Sequence, residues 1–451
     1  MTNPHDYPKV LLVGQYFNAT TGGGITLSNI FRDWPKDCVA AASLIEYPPN
    51  LNICNKYYQF GFLEYRLVQP LRSLQSRRQP SGPLVLNDLS GMDNRSDGHS
   101  PSGKRNIYRR TASTLAMFLG VEPLIRHLQP SRELIAWIDQ LQPDLIYTQL
   151  GSLDLIRMVT RLVAETHLPL VIHMMDDWPT TPLIHGLLAP YNKWRMRAEF
   201  LPLVMNATAL MSISHKMSRA FEQRYGRQFI TFHNPIESQR WLRSAKKAWV
   251  ANMPFRLVYA GRIGRANQVS LQTLCDAIAE LHGSGRAVQL DLYTLEHSAV
   301  AGIALQRNGC VFVHPQVPYA EMPVLLAGAD LLILPLDFGT DSIRFAKYSM
   351  PTKTAEYMIS GAPVLVYAPP DLALTEYARD DKWALIVSEQ SCESLKHAIL
   401  QLMDDQGLRE QLGRRAQELA IQNHDSDRVC DAFRQVLAEV AAKHETQHAN
   451  S

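Results

Sequence analysis

Residues 331–366 have the sequence LLILPLDFGTDSIRFAKYSMPTKTAEYMISGAPVLV, in which two apolar runs enclose a longer polar segment. The runs Leu331–Leu334 and Val364–Val366 are short and continuous, which is typical of parallel strands covered on both faces. Between them, Thr352–Ile359 has helical periodicity and follows Pro351, a residue favoured in the first turn of a helix. Strand, helix and strand in this order predict a layered α/β fold with a parallel sheet.

The same alternation extends in both directions along the chain. A polar linker, residues 239–253, separates two series of predicted strands. We therefore predict two doubly wound Rossmann-like domains, residues 1–238 and 255–422, followed by an amphipathic terminal helix within residues 423–451. Ligands bind at the carboxyl ends of such strands, so we expect the site in a cleft between two facing domains. The remaining predicted strands are Lys9–Gln15, Cys38–Ile45, Leu84–Leu86, Asp144–Gln149, Leu170–Met175, Ala209–Ser214, Phe229–Phe232, Arg256–Ala260, Val288–Tyr293, Val311–Val313 and Ala384–Val387.

Composition excludes several classes of protein. The 451 residues carry 45 Lys and Arg against 43 Asp and Glu, and a net charge of +2 gives no field that would drive nucleic-acid binding. The six cysteines form no C-x-x-C pair, which is consistent with a reducing compartment. We expect a cytoplasmic enzyme, because the first residues lack the features of a signal peptide and no apolar run has the ~20 residues of a membrane span.

One polar segment, Pro70–Arg110, interrupts the alternation. Its eight basic and three acidic residues give the segment a net charge of +5. A solvated insertion loop is one interpretation. The other is a basic lip for an anionic substrate or for an anionic membrane surface, which would allow peripheral contact at the inner face of a membrane. The basic residues are Arg72, Arg77, Arg78, Arg95, Lys104, Arg105, Arg109 and Arg110.

A turn rich in glycine follows the first strand of each predicted domain. Gly22, Gly23 and Gly24 would let backbone N–H groups approach an anionic or sugar ligand, although a tight structural turn explains them equally well. The turn lacks G-x-G-x-x-G and the Walker pattern, which disfavours a dinucleotide or P-loop site. In the second domain, Arg262 and Arg265 of GRIGR suit a diphosphate, and an exposed arginine pair is the alternative.

Two further groups of residues have the chemistry of a site. His173, Asp176 and Asp177 lie at the end of a predicted strand, where the carboxylates could position a hydroxyl acceptor or simply cap the turn at Trp178. Without a second histidine nearby, this group does not indicate a metal.

The predicted helix Thr352–Ile359 carries the second group. Lys353 and Glu356 lie one helical turn apart, so a phosphate-binding cation and a ribose-binding carboxylate would share a face with Thr352 at the helix start. The alternative for Lys353 and Glu356 is an ordinary ion pair on a solvated face.

Taken in order, these motifs resemble those of the family 4 retaining glycosyltransferases of the GT-B fold. The resemblance covers the chain except for Pro70–Arg110. Its most specific parts are Val311–Pro315, Met322–Pro335 (MPVLLAGADLLILP) and residues 351–364 (PTKTAEYMISGAPV), and it is closest to the subgroup with P-[ST]-K before the glutamate. It implies that the terminal helix returns to the N-terminal, acceptor-side domain and that the C-terminal domain binds the nucleotide sugar.

The resemblance also implies residue roles. Glu356 would hold the donor ribose, Arg262 would contact the donor diphosphate, and Gly22–Gly24 would lie near phosphate and acceptor. His173 would face the transferred sugar. Two positions depart from the family: Tyr348 replaces the first glutamate of the E-x7-E signature, and Asn267 replaces a lysine, whose charge Lys353 or Arg265 would then supply.

The expected function is transfer of a sugar from a nucleotide-diphosphate sugar to a hydroxyl acceptor, which could be a glycan, a lipid-linked sugar or a small molecule. The family implies retention, by front-face attack assisted by the leaving phosphate, with no metal and no cofactor. Two alternatives remain open. One is a nucleotide-sugar-binding protein without turnover, suggested by Tyr348 and Asn267, and the other is a nucleotide-sugar epimerase on the same fold.

Overall fold

The computed structural model of the protein describes residues 7–67, 80–84, 126–180 and 188–449. The basic residues of the segment Pro70–Arg110 lie outside these ranges, so neither interpretation of the segment is tested. The chain divides into two compact units. The first contains the described residues up to Ile213, together with Ser218–Phe232 and the residues from Cys430 onward, and the second contains Ser214–Met217 and His233–Val429.

The first unit is built on an eight-stranded sheet in the order β10-β9-β8-β7-β1-β2-β3-β5. Its neighbouring strands are parallel except for the antiparallel pair β3 and β5. A separate antiparallel pair joins β4 and β6. The central strands are fully buried, as expected of a sheet covered on both faces. The strands are β1 (Val10–Val13), β2 (Val39–Ser43), β3 (Tyr57–Gln59), β4 (Tyr65–Leu67), β5 (Gly82–Pro83), β6 (Arg126–Leu128), β7 (Leu145–Thr148), β8 (Leu170–Met174), β9 (Ala209–Ser212) and β10 (Ile230–Thr231).

The second unit is built on a six-stranded, all-parallel sheet in the order β13-β12-β11-β14-β15-β16. The chain runs from β11 outward to β13 and then returns to the other side of β11 at β14. This reversal makes the β11–β14 pair the topological switch point of the sheet, where α/β proteins bind ligands. The strands are β11 (Phe255–Ala260), β12 (Val288–Thr294), β13 (Val311–Pro315), β14 (Leu331–Pro335), β15 (Val364–Tyr367) and β16 (Leu385–Val387).

Helices cover both sheets, and several begin at a side chain that accepts a hydrogen bond from a free backbone N–H group. Ser131, Ser152, Ser391 and Asp405 are such N-caps. The helices are α1 (Gly22–Ile30), α2 (Arg132–Leu141), α3 (Leu153–Thr166), α4 (Ala189–Asn206), α5 (His215–Tyr225), α6 (Ser238–Leu242), α7 (Gln268–Gly283), α8 (Val300–Ile303), α9 (Met322–Ala327), α10 (Thr340–Ala346), α11 (Lys353–Ile359), α12 (Ala373–Asp381), α13 (Cys392–Asp404), α14 (Gln406–His424) and α15 (Ser426–Ala449). Two 3-10 turns, Lys36–Cys38 and Trp178–Thr180, complete the described elements.

The structure places the unit boundaries slightly away from the predicted domain limits. Residues 233–238, which we assigned to the first domain, belong to the second unit. Hydrogen bonds account for this: the Ile236 N–H group donates to the carbonyl of His424, and the Asn234 amide donates to the carbonyl of Met350. The terminal helix α15 begins in the second unit, and its residues from Cys430 onward belong to the first.

Several elements differ from the sequence predictions, and strands β3, β4 and β6 were not predicted. A strand was expected at Leu84–Leu86, but the observed strand β5 lies just before it, at Gly82–Pro83. Residues 85 and 86 lie outside the described ranges. Helix α4 was not predicted because its apolar residues lie on two opposite sides, which hides the helical period. Among the described residues, no helix is both long enough and apolar enough to span a bilayer.

Candidate functional site

The strongest candidate site lies in the second unit, where Gly261 follows β11 at the switch point. Gly261 has a φ of 154°, a conformation that side chains with a Cβ rarely adopt. Helix α11 is tied to this strand end because the Tyr357 hydroxyl accepts a hydrogen bond from the Ala260 N–H group at 2.8 Å. The packing brings two sequence-predicted motifs together, the Gly-Arg turn and the segment that carries Lys353 and Glu356.

Lys353 points directly at this turn. Its Nζ lies 4.0 Å from the centroid of the Tyr259 ring, within the range of a cation–π interaction. A Cβ on Gly261 would lie 2.1 Å from the same Nζ, so the glycine leaves the space that the ammonium group occupies. The cation is therefore held at the carboxyl end of β11 by an aromatic face and a close approach to the backbone.

Glu356 lies one turn further along α11. Burial raises the pKa of Glu356 to about 7 and lowers the pKa of Lys353 to about 7, while attraction between the two charges opposes both shifts. A hydrogen bond with Tyr319 also favours the ionised carboxylate of Glu356. Tyr319 itself packs edge-on against Trp241, with Arg240 over its ring. Two groups that titrate near neutrality thus lie side by side on α11, in an arrangement common at functional sites.

The two predicted arginines of the GRIGR turn are exposed. The Arg262 guanidinium lies 3.9 Å from the carboxylate of Glu296, and the Arg265 carbonyl accepts a hydrogen bond from Ser342. Burial acts to raise the pKa of Glu296, but hydrogen bonds from Thr294 and the Ile263 N–H group outweigh it, and the pKa is lowered. An ionised Glu296 therefore lies beside Arg262.

Asn267, where the resemblance leads us to expect a lysine, closes the turn. Its amide Nδ2 donates to the Tyr259 hydroxyl at 2.7 Å and to the Arg262 carbonyl at 3.0 Å, and its Oδ1 accepts from the Gly264 N–H group at 2.9 Å. The Tyr259 hydroxyl also donates to the Arg262 carbonyl at 2.6 Å. Asn267 thus fixes the turn that presents Arg262 and orients the Tyr259 ring beneath Lys353.

We expect Asn267→Lys to destabilise the GRIGR turn and lower the stability of the protein, even though it introduces the residue that the resemblance leads us to expect. The lysine cannot replace the three hydrogen bonds of the amide, and each such bond contributes about 0.5–1.5 kcal/mol. The free energy of unfolding should fall by about 1.5–4.5 kcal/mol in urea titrations. Asn423→Lys, at a partly buried asparagine of α14, is the matched control. Tighter nucleotide binding by Asn267→Lys would contradict this structural role.

Tyr348, where the resemblance leads us to expect the first glutamate of E-x7-E, lies beside Lys347, whose Nζ is 5.5 Å from the centroid of its ring. The Tyr348 carbonyl accepts a hydrogen bond from Ser214 at 2.8 Å. Thr352, half-buried, immediately precedes α11. The structure thus has an aromatic ring and a lysine where the family signature has a carboxylate.

In the first unit, the glycine turn forms the start of α1. The Thr21 hydroxyl accepts a hydrogen bond from the Gly24 N–H group, and Asn18 Oδ1 accepts from the Thr21 N–H group and hydroxyl. A Cβ on Gly24 would lie 2.2 Å from the Asn18 side chain, whereas one on Gly23 would meet open space. Gly24 is therefore required by packing, and Gly22 and Gly23 are exposed.

His173 lies on β8 within an aromatic cluster. It is buried, its Nδ1 lies 2.7 Å from the Tyr147 hydroxyl, and its ring contacts Phe232 and Phe433. Burial lowers the pKa of His173 to about 3, so the imidazole is neutral. Its predicted contact with the transferred sugar stays a prediction, and any such role would use an uncharged ring.

Asp176 and Asp177 have separate partners. Asp176 accepts a hydrogen bond from the Trp178 N–H group, so it caps the turn at Trp178, which is one of the two roles expected from the sequence. Burial raises the pKa of Asp176. Asp177 is buried and forms a two-pronged ion pair with Arg224 at 2.6 and 3.0 Å. Their predicted role with an acceptor hydroxyl stays a prediction.

Sequence reasoning missed four side chains of the candidate site in the second unit: Tyr259, Glu296, Tyr319 and Trp241. Tyr259 lies at the carboxyl end of β11, and Glu296 and Tyr319 follow β12 and β13. Their positions at or just after the ends of predicted strands were an available signal. Trp241 lies in the segment that we treated as a linker. In the described residues, no three His, Cys, Asp or Glu side chains are grouped as metal ligands.

Comparison with known proteins gives both a family match and structural relatives. Residues 254–405 match the family model described as Glycosyl transferases group 1. The fold resembles HepE from Anabaena in complex with UDP and glucose, at 15% identity and a TM-score of 0.57, over 96% of this chain and 100% of that one. It also resembles sucrose-phosphate synthase from Thermosynechococcus elongatus, at 12% identity and a TM-score of 0.60, over 96% and 99%.

A third relative is the TarM structure, at 10% identity and a TM-score of 0.55, with 96% of this chain and 99% of that chain covered. Comparison with curated proteins gives no match to this sequence. The chain therefore has the α/β GT-B fold, and residues 254–405, which contain Lys353 and Glu356, match the group 1 glycosyltransferases.

Proposed function

We propose that this protein is a glycosyltransferase that moves a sugar from a nucleotide-diphosphate sugar to a hydroxyl acceptor. The observation that carries the proposal is the placement of Lys353 over Tyr259 beside Gly261, one helical turn from Glu356. These groups lie at the switch point of a domain that matches the group 1 glycosyltransferases. A cation and a carboxylate in this arrangement suit a diphosphate and the paired hydroxyls of a ribose.

The chemistry follows from where charge develops. As the bond between sugar and diphosphate breaks, negative charge accumulates on the leaving phosphate, and a cation fixed beforehand stabilises that charge without reorganising. Lys353 is such a cation, and the exposed Arg262 can approach the diphosphate from the neighbouring turn. In this proposal the transfer proceeds with retention, by front-face attack assisted by the leaving phosphate, and needs no metal.

A uridine diphosphate hexose is the donor we propose to test first. Crystal structures of HepE have been determined with UDP, with UDP and glucose, and with UDP-glucose, and HepE shares the fold of this chain. His173, Asp176 and Asp177 remain the proposed acceptor-side residues. The acceptor in this proposal is a glycan, a lipid-linked sugar or a small molecule, and the basic insertion would contact an anionic membrane surface.

A binding screen followed by a transfer assay tests the proposal. A ligand that binds only the folded state raises the unfolding temperature with its concentration, so UDP-, GDP- and ADP-sugars can be compared by thermal shift. The best donor is then incubated with panels of hydroxyl acceptors, and free nucleotide diphosphate and glycosylated product are measured together. Absence of a shift with every nucleotide sugar would overturn the proposal.

The paired pKa values predict how donor binding depends on pH. Lys353 loses its proton as the pH rises above about 7, and Glu356 gains one as the pH falls below about 7. Affinity for UDP-glucose, whose phosphates are both esterified and do not titrate in this range, should therefore be greatest near neutral pH and fall on both sides. Calorimetric titrations between pH 5.5 and 9 measure this, since the range extends at least about 1.5 units either side of both pKa values. A flat profile would contradict the assignment of these two groups.

A second candidate is a nucleotide-sugar-binding protein without turnover. It is favoured by Tyr348 and Asn267, because neither supplies the charge that the family has at that position. Saturable donor binding without transfer to any acceptor, and without hydrolysis of the donor, would support this candidate. Product formed from the donor alone, with a changed sugar configuration, would instead indicate an epimerase.

A further inference from the structure

Helix α4, Ala189–Asn206, has two apolar faces. One face is buried in the first unit and includes Met196, Phe200 and Leu203. At about 100° per residue, a second set of side chains falls on the opposite side of the helix. We call this set the outer stripe, and it consists of Tyr191, Trp194, Ala198, Leu201, Pro202 and Met205.

The residues of the outer stripe are exposed, except for Leu201, which is half-buried. Trp194 is 66% exposed, Met205 48% and Tyr191 43%. The ring centroids of Tyr191 and Trp194 lie 6.0 Å apart. From Tyr191 to Met205 the stripe extends about 21 Å at 1.5 Å per residue. A continuous apolar surface with its largest side chains in solvent indicates an interaction site.

The charges beside the stripe are basic. Arg197 is exposed and lies along one edge, and Lys193 is exposed one helical turn before it. Glu199 is the only acidic residue of α4, and it is already engaged by Arg157 at 2.6 Å and by Arg195 at 2.9 Å. The surface therefore presents apolar and positively charged groups, while the one carboxylate of the helix is neutralised by two arginines.

Contacts at its C-terminal end and on its buried face hold helix α4 in place. Arg227 donates to the carbonyls of Val204, Met205 and Ala207, which satisfies free acceptors at the C-terminal end. Phe200 packs edge-on against Trp178 on the buried face, with ring centroids 5.5 Å apart. The outer stripe is therefore a preformed surface rather than one that must order on contact.

We propose that the outer stripe of α4 docks the first unit onto an anionic lipid bilayer. Tyrosine and tryptophan favour the boundary between headgroups and acyl chains, and flanking lysine and arginine attract anionic headgroups. A single helix with three large exposed side chains supplies only part of the about 800 Å² per partner that stable protein interfaces bury. The outer stripe shares no residue with the basic insertion, and the proposal is independent of the donor site.

Tryptophan fluorescence reports on this docking directly. The protein has seven tryptophans, and all except Trp194 are at most 9% exposed. Vesicles of phosphatidylglycerol and phosphatidylcholine should shift the emission to shorter wavelength, and lipids brominated in the upper acyl chain should quench it. Trp194→Phe should abolish both signals. Pure phosphatidylcholine vesicles should bind more weakly, because Lys193 and Arg197 then have no anionic partner.

Co-sedimentation with the same vesicles gives the energetic test. The double variant Lys193→Glu, Arg197→Glu should weaken binding by at least about tenfold, since each basic residue near an anionic surface contributes about 1 kcal/mol. Arg243→Glu combined with Lys247→Glu, two exposed residues of the second unit, is the matched control and should bind as the wild type does. The unfolding temperature of each variant verifies that it is folded.

Three results would overturn the proposal. The first is no change of the wild-type Trp194 emission with anionic vesicles. The second is equal binding by the charge-reversed variant and its control. The third is a dimer in sedimentation velocity that Trp194→Ala dissociates, which would assign the outer stripe to self-association.

Discussion

Lys353→Met is expected to lower kcat for sugar transfer by about 100-fold or more, the loss found when one fixed stabiliser of developing charge is removed. Methionine keeps most of the aliphatic chain and removes the ammonium group that lies over the Tyr259 ring. Burial already disfavours the charged lysine, as its lowered pKa indicates, so the unfolding temperature should not fall substantially. Steady-state kinetics with the identified donor, together with thermal unfolding, measure the two effects separately.

Lys396→Met is the control for this variant. Lys396 lies on α13 and pairs with Glu280 and Glu393 in the second unit. The Lys396→Met variant should leave kcat unchanged, because the proposed site does not use this lysine. A wild-type kcat in Lys353→Met would show that Lys353 does not stabilise the leaving group. A large loss of kcat in both variants would indicate a general effect on the fold.

Glu356→Gln is expected to weaken binding of the nucleotide by about 10- to 100-fold, because hydrogen bonds to a charged group contribute about 1.5–3 kcal/mol. Glutamine retains the size of the side chain and its contact with Tyr319 but loses the charge. The loss should appear in KM and in the Kd of UDP. The acid side of the pH profile should also flatten, since the group that is protonated below about pH 7 is gone.

Glu410→Gln on α14 is the matched control. Glu410 pairs with Arg414 on the same helix, and its neutralisation should leave the Kd of UDP unchanged. An unaltered Kd together with an unaltered acid limb in Glu356→Gln would place the ribose elsewhere. A pH profile that flattens without a change in affinity near pH 8 would also contradict the ribose role, because Glu356 is mostly ionised there.

Local sequence patterns were sufficient for most of the second unit. The apolar runs at Leu331–Leu334 and Val364–Val366 are strands β14 and β15, and the segment between them contains α11, because burial on both faces selects continuous apolar residues. The approximate site followed from the same patterns, since Gly261 and Lys353 adjoin predicted elements. Helix α4 was missed because outward and inward apolar residues together leave no single helical face.

By itself, the sequence determined the alternation of strands and helices, the doubly wound class and the segment that carries Lys353 and Glu356, because periodicity and capping are local properties. Only the tertiary structure decided that Lys353 lies over Tyr259, that Asn267 closes the turn and that Trp194 faces solvent. These contacts depend on which strands become neighbours at the β11–β14 switch point and on which side of α4 meets the core. Neighbours across a sheet are remote in sequence, so no pattern within a single segment specifies them.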